Sequence, residues 1–277
     1  MRQPASLIDT FIQRLQREPA VLVRVASTQG SVPREAGAWM GVFTDAVVGT
    51  VGGGHLEFEA IAHARRALAG AAIEAQRRFA LGPSLGQCCG GVVRLDFALT
   101  NPADAAALRA RLEAEDDARR LPVALFGGGH VGHAIVQALT PLPVRVRWVD
   151  SRDEIFPGGL MRWVQTEHSA PVQAAVADLD TQSRVLIMSF SHAEDLDIVA
   201  ACLARRRERG DLPFIGLIGS KSKWASFRHR LEARGYGEEE LARVTCPIGV
   251  AGVVGKEPEV IAAAVAAQLM QGRVAPG

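Results

Sequence analysis

Hydrophobic positions change their period part-way along the chain. Up to about residue 100 the pattern is mixed: Val21 to Ala26, Ala38 to Phe43, Ala46 to Thr50 and the stretches near 75 to 80 and 91 to 98 predict strands, whereas Ser6 to Glu18 and Leu56 to Leu68 carry apolar residues at helical spacing. From Val123 onward the two periods alternate regularly. Strands are expected at Val123 to Phe126, Val144 to Val149, Arg162 to Gln165, Arg184 to Phe190 and Phe214 to Ile218, with helices near 131 to 140, 171 to 178, 194 to 208 and 222 to 234. Parallel strands need crossover connections, so this βαβ series implies a parallel sheet. A closing helix, Glu257 to Gln271, is stopped by Gly272 and gathers Val260, Ile261, Ala264, Val265 and Leu269 on an apolar face, which makes a homodimer expected. Between the halves, Asn101 to Arg120 opens on Asn-Pro-Ala-Asp, turns helical and charged, and ends at Leu121-Pro122. The expected fold class is α/β: an N-terminal α+β domain over residues 1–100, a helical connector over 101–120, and a C-terminal Rossmann-like parallel sheet domain over 121–277.

Bulk composition narrows the function classes. At 277 residues two domains are the better prior. Lys and Arg number 31 against 30 Asp and Glu, a net charge of +1, so no global basic field argues for nucleic acid or an anionic membrane. The longest apolar stretch, Val260 to Met270, falls far short of the roughly 20 residues of a membrane span. The four cysteines show no CxxC spacing and Met1-Arg2-Gln3-Pro4 lacks an apolar signal segment, so a reducing cytoplasm without disulfides is expected.

Half of those cysteines stand side by side in Gly86-Gln87-Cys88-Cys89-Gly90-Gly91, just before the strand-like run Val92 to Phe97. Consecutive α-carbons lie about 3.8 Å apart, below the usual span of a disulfide, so Cys88 and Cys89 read as free thiols. In an extended backbone their side chains point to opposite faces, which leaves one of the two as an accessible soft ligand. The flanking glycines allow close approach of something bulky.

Several loops are suited to anions. Gly127-Gly128-Gly129-His130-Val131-Gly132 satisfies the GxGxxG rule between a predicted strand and helix, and Asp150 follows at the end of the next strand. Gly127, Gly129 and Gly132 are thus expected to cradle a nucleotide or another phosphate, with Asp150 on a ribose. Ligands of open α/β sheets bind beyond the carboxyl ends of the strands, which brings in Ser189-Phe190-Ser191-His192 with Asp197, and Gly219-Ser220-Lys221-Ser222-Lys223; His192 and Lys221 are the candidates there. In the first half, Gly30 to Gly37 presents Arg34, whose fork-shaped guanidinium suits bidentate recognition of phosphate. Gly52, Gly53 and Gly54 lead from a strand into a helix, where backbone N–H groups can form a nest. His55, Glu59 and His63 share a helical face that resembles a metal site only weakly. No catalytic triad, paired glycosidase carboxylates or Walker lysine emerges, and hydride transfer is the enzymatic class the fold invites.

Together these motifs resemble the XdhC/CoxI family of molybdenum-cofactor chaperones, over most of the chain. Gly30 to Gly37, Gly49 to Glu57 and Leu81 to Gly91 look like the family's N-terminal blocks; Gly127 to Gly132, Ile218-Gly219-Ser220-Lys221 and Cys246-Pro247-Ile248-Gly249 look like its C-terminal ones. The ending Gly255-Lys256-Glu257-Pro258-Glu259-Val260-Ile261-Ala262 is similar to the xanthine dehydrogenase branch. Where the wider family often has Thr-His after strand four, this chain has Ser191-His192. The resemblance implies a chaperone that binds molybdopterin-type molybdenum cofactor, protects it, supports its sulfuration with a cysteine desulfurase and delivers it to apo-xanthine dehydrogenase, with no catalysis of its own. It implies Cys88 and Cys89 as metal-facing thiols, with Gln87 beside them; the alternation of an extended backbone argues for one of the two rather than both. A NAD(P)-dependent oxidoreductase and a redox sensor built on the paired thiols are the alternatives.

Overall fold

The computed structural model describes residues 6–81 and 90–271. Two compact units divide between Asp116 and Asp117.

The first unit opens with α1 (Leu7–Leu15). Ser6 starts it: its hydroxyl accepts the Asp9 N–H at 3.0 Å while the Asp9 carboxylate accepts the Ser6 N–H at 3.3 Å, a reciprocal cap written in the Ser-x-x-Asp spacing. Then come β1 (Ala20–Gln29), β2 (Trp39–Val42), β3 (Val47–Gly49), α2 (Gly54–Leu68), β4 (Gln76–Ala80), β5 (Val92–Thr100) and α3 (Ala105–Arg119). The sheet is antiparallel in the order β3-β2-β1-β5-β4. Alternation along β1 sorts its residues between two cores. Val21, Val23 and Val25 pack with Leu56, Ala60 and Ala64 of α2, while Ala20 and Leu22 pack with Ile8, Phe11, Ile12 and Leu15 of α1 and with Ala105, Leu108 and Leu112 of α3. The charged segment 101–120 therefore folds as a helix whose apolar stripe belongs to this unit.

The second unit runs β6 (Leu121–Phe126), α4 (His130–Leu139), β7 (Val144–Asp150), β8 (Val164–His168), β9 (Arg184–Ile187), α5 (His192–Arg209), β10 (Phe214–Leu217), α6 (Lys221–Glu232), α7 (Glu238–Leu241), β11 (Val244–Thr245) and α8 (Pro258–Gln271). All its strand pairs are parallel, in the order β11-β10-β9-β6-β7-β8. The fold is thus α/β, an antiparallel sheet followed by a Rossmann-like parallel one. Strand order reverses between β6 and β9, and open sheets of this kind bind ligands beyond the carboxyl ends at that point. Phe126 and Ala124 face a core with α5, whereas Val123 and Leu125 face one with α4 and α8.

Three local differences from the sequence pattern stand out. The helix expected near 171 to 178 is 3₁₀ over Val172–Asp178. The two-residue β11 and the single-turn α7 escape the pattern because neither is long enough to display a period. Ala262, Val265 and Leu269 of α8 are buried in the core they share with α4, so the apolar face that suggested self-association is used inside the unit. Among the described residues no helix is long and apolar enough to cross a membrane.

Candidate functional site

The glycine loop after β6 has the form its spacing predicts. Gly127 adopts φ +126°, and a Cβ there would strike the Met188 carbonyl on the adjoining strand end. A Cβ on Gly132 would strike the Gly127 carbonyl, so the third glycine lets α4 close onto the loop. Around Gly129 the equivalent position is open space, and no side chain caps α4. The first N–H groups of that helix therefore face an open, exposed turn, the arrangement that receives a phosphate.

Asp150 ends β7 beside this loop, 2 % exposed. Its Oδ2 accepts the Gly128 N–H at 2.5 Å and Arg152 Nη2 at 2.9 Å; its Oδ1 accepts the Arg152 backbone N–H and Nε, both at 2.9 Å. Burial alone would push this carboxyl up, but the Arg152 and Gly128 hydrogen bonds outweigh it and hold it below the usual carboxylate range. Each oxygen already accepts two donors, so the carboxylate has no ready lone pair for a ribose. Arg152 in turn lies over the exposed Phe190 ring, 4.8 Å from its centroid, and Ser151 donates to Glu194 Oε1 at 2.7 Å. These contacts tie the segment after β7 to the loop after β9.

A second network braces β9 against β10. Asp195 accepts both the backbone N–H and the hydroxyl of Ser189 at 2.7 Å, and pairs with Lys223 Nζ at 2.6 Å. Lys223 also donates to the Ile218 carbonyl at 2.9 Å. Both charges are almost buried, so the pair is satisfied by hydrogen bonds on each side rather than left to Coulomb attraction alone. Cys246, after β11, is half-buried; burial raises its thiol pKa although Lys223 opposes the shift, which keeps it protonated near neutrality.

The positions singled out in this unit behave unequally. Asp150 is sequestered. Lys221 and His192 are exposed first residues of α6 and α5, outside the braced network. Asp197 points away to a surface pair with Arg234 at 3.0 Å. The sequence pattern missed Arg152, Glu194, Asp195 and Lys223; the last two sit two residues from Asp197 and Lys221, and residues two apart on a helix do not share a face.

In the first unit the Gly52–Gly54 turn already holds an anion of its own. Glu57 Oε2 accepts the Val51 and Gly53 N–H groups, each at 3.1 Å, and the Thr50 hydroxyl, which itself accepts the Gly52 N–H at 3.1 Å. The nest read from the glycines is filled from within. A Cβ on Gly52 would collide with the Pro33 ring and come within 3.7 Å of Arg34 Cγ, so the structure does bring Arg34 to this turn. Arg34 is exposed and has no ion-pair partner among the described residues, and Gly53 faces open space. Gly91 packs on the Ser31 and Gln29 carbonyls, so the Gly30 turn also meets the start of β5. Gln87, Cys88 and Cys89 lie outside the described residues. The weak metal face dissolves: His63 is buried, with Nε2 3.3 Å from the Glu74 carbonyl and its ring edge-on to Phe97, while His55 is exposed near Glu59. No metal-ligating cluster occurs among the described residues.

Comparison with known proteins agrees with this architecture. Residues 123–269 match the XdhC Rossmann domain, and residues 13–79 match the XdhC and CoxI family. The chain is 25 % identical over 264 residues to the uncharacterised protein YqeB of Escherichia coli; the match takes in 92 % of this chain and 44 % of that protein, so the chain spans less than half its length. A solved structure named as a xanthine dehydrogenase from Bacillus halodurans superposes with a TM-score of 0.72 at 18 % identity, covering 96 % of this chain and 95 % of that one, which establishes a shared fold.

Proposed function

The chain belongs to the XdhC family, and from that premise we propose that it is an accessory factor of xanthine dehydrogenase that holds molybdopterin-type molybdenum cofactor. In this reading it shields the cofactor, supports sulfuration by a partner cysteine desulfurase, and passes it to apo-xanthine dehydrogenase in the cytoplasm. The observation that carries the reading is Arg34, an exposed guanidinium without an ion-pair partner among the described residues, set beside the open Gly53 turn.

The fit of the cofactor to these residues is selective. Its pterin phosphate suits Arg34, which can bind it bidentately. The turn at Gly52 and Gly53 does not suit it, because the Gly53 N–H already donates to Glu57 and the Gly52 N–H to the Thr50 hydroxyl. Cys88 and Cys89 are the thiols proposed for the metal side, one of them facing it, with Gln87 beside them; the β-strand that follows them begins against the Gly30 turn that leads to Arg34. When bound, the cofactor supplies an oxygen-sensitive molybdenum centre whose chemistry belongs to the receiving enzyme. Arg34 binds and orients; the thiols offer a soft ligand. In the second unit, Gly129 and the α4 N-terminus are proposed to receive a phosphate group, with Lys221 and His192 at the exposed rim.

The test is molybdenum and pterin analysis of protein purified from a cofactor-producing cell. Near-stoichiometric molybdenum with pterin is expected, falling about tenfold in Arg34→Ala through loss of a charge-assisted pair and lost further in the Cys88→Ala/Cys89→Ala double variant. Protein purified without either component would defeat the reading. The Rossmann strand order and the geometry of the glycine loop support an oxidoreductase as the second reading. NADH or NADPH turnover with a small substrate would favour it.

A further inference from the structure

Arg152 stands between two carboxylates that are unequally satisfied. Asp150 accepts four hydrogen bonds, three of them from Arg152 itself. Glu194 accepts one, from Ser151, and its Oε2 is buried with no hydrogen-bond partner among the described residues. A desolvated carboxylate oxygen without a donor is costly, and in a native fold it asks for an explanation. Glu194 nevertheless acts electrostatically on Arg152, and Ser151 anchors it to the neighbouring residue. The Phe190 ring under the guanidinium gives the side chain a flat surface on which to move.

We propose that the crevice binds a nucleotide with an unmodified ribose diol, that Arg152 is the internal competitor for the ribose acceptor Asp150, and that Glu194 is the second seat to which Arg152 moves when the ligand arrives. This rests on the reading of the Gly129 turn as a phosphate site. The phosphates meet Gly129 and the first turn of α4; the ribose hydroxyls replace the guanidinium on Asp150; Arg152 then satisfies Glu194 Oε2. One hydrogen-bonded charge pair is exchanged for another, so opening the site need not cost a whole buried ion pair. A ligand carrying a ribose 2′-phosphate fits less well, because two carboxylates against one guanidinium leave a net negative rim.

Calorimetric titration of the full chain with NADH and NADPH tests the exchange. NADH is expected to bind more tightly than NADPH. Arg152→Ala removes the competitor and is expected to tighten NADH by about tenfold, since a closed site lowers apparent affinity by its closed fraction. Glu194→Gln, a nearly isosteric change that spares the fold, is expected to weaken NADH by about fivefold while Arg152 is present and to have no effect in the Arg152→Ala background. NADH binding that is unchanged or weakened by Arg152→Ala overturns the proposal, as does a Glu194→Gln effect that persists without Arg152. A preference for NADPH that disappears in Arg152→Ala also overturns it, because the guanidinium would then be reading a phosphate. If no variant binds either dinucleotide, the nucleotide reading of the crevice fails and takes this inference with it, while molybdenum and pterin retention at Arg34 is judged separately.

Discussion

At Thr50 to Gly54 the chain leaves β3 for α2, and at Gly127 to Gly129 it leaves β6 for α4. Both turns collect glycines and backbone amides at a helix N-terminus, and by sequence they are equivalent anion sites. They differ in where the nearest carboxylate comes from. Glu57 lies in the first turn of the very helix the loop begins, so it folds back and takes two amides and the Thr50 hydroxyl. Asp150 comes from the next strand and reaches Gly128 alone, which leaves Gly129 and the α4 turn open. A local carboxylate completes a glycine nest; a distant one leaves part of it for a ligand.

Gly127→Ala combines a positive φ with a collision against the Met188 carbonyl and is expected to destabilise the second unit by about 4 kcal/mol, measured by urea unfolding. Next, Glu57→Ala strips three donors of their acceptor and should cost about 2 kcal/mol by the same measurement. If the freed nest then binds inorganic phosphate, the difference between the loops lies in the carboxylate, as argued; if Glu57→Ala is neutral, that account is wrong. Gly53→Ala meets open space, but φ +74° with ψ −172° is a conformation essentially confined to glycine, so it should cost about 2 kcal/mol from backbone strain alone.

Acid sharpens the contrast more gently. Asp150 is held below its ordinary value of 3.8, so the stability its clamp contributes is fully present above that pH and is lost as pH falls through the lower folded value. The stability gap between the wild type and Asp150→Asn should therefore close in strong acid, read from unfolding midpoints against pH. The smallest expected effect is that of Gly129→Ala, whose Cβ meets nothing and whose φ is ordinary, at −74°. It should change stability by less than about 0.5 kcal/mol while obstructing any phosphate at the α4 turn, a split that separates the open loop from the filled one.

Much of the fold was legible because its signals are local or periodic. The alternating β1 residues, the Ser6 cap and the βαβ rhythm each declare themselves within a few residues. The site was legible only in outline. Residue type and spacing pointed to Arg34, Gly127, Gly129, Gly132 and Lys221, but not to the buried pair, which Lys223 and Asp195 make while Asp197 pairs with Arg234 at the surface. Choosing between neighbours two apart requires the rotation of a helix about its axis, which a short amphipathic stretch under a charged loop does not fix. Arg152 carried no motif at all, and its importance comes from what stands around it.

The run of strands and helices, the two glycine turns and the residue types available to each can be read along the chain, because backbone propensity and side-chain period are properties of neighbouring residues. Which of those turns stays open, and which carboxylate is already occupied, depends on the packing of elements distant in the chain. Hydrogen-bond satisfaction is set in space: Glu57 reaches its amides by folding back along one helix, whereas Asp150, Arg152 and Glu194 meet only once β7 and β9 have taken their places on either side of β6.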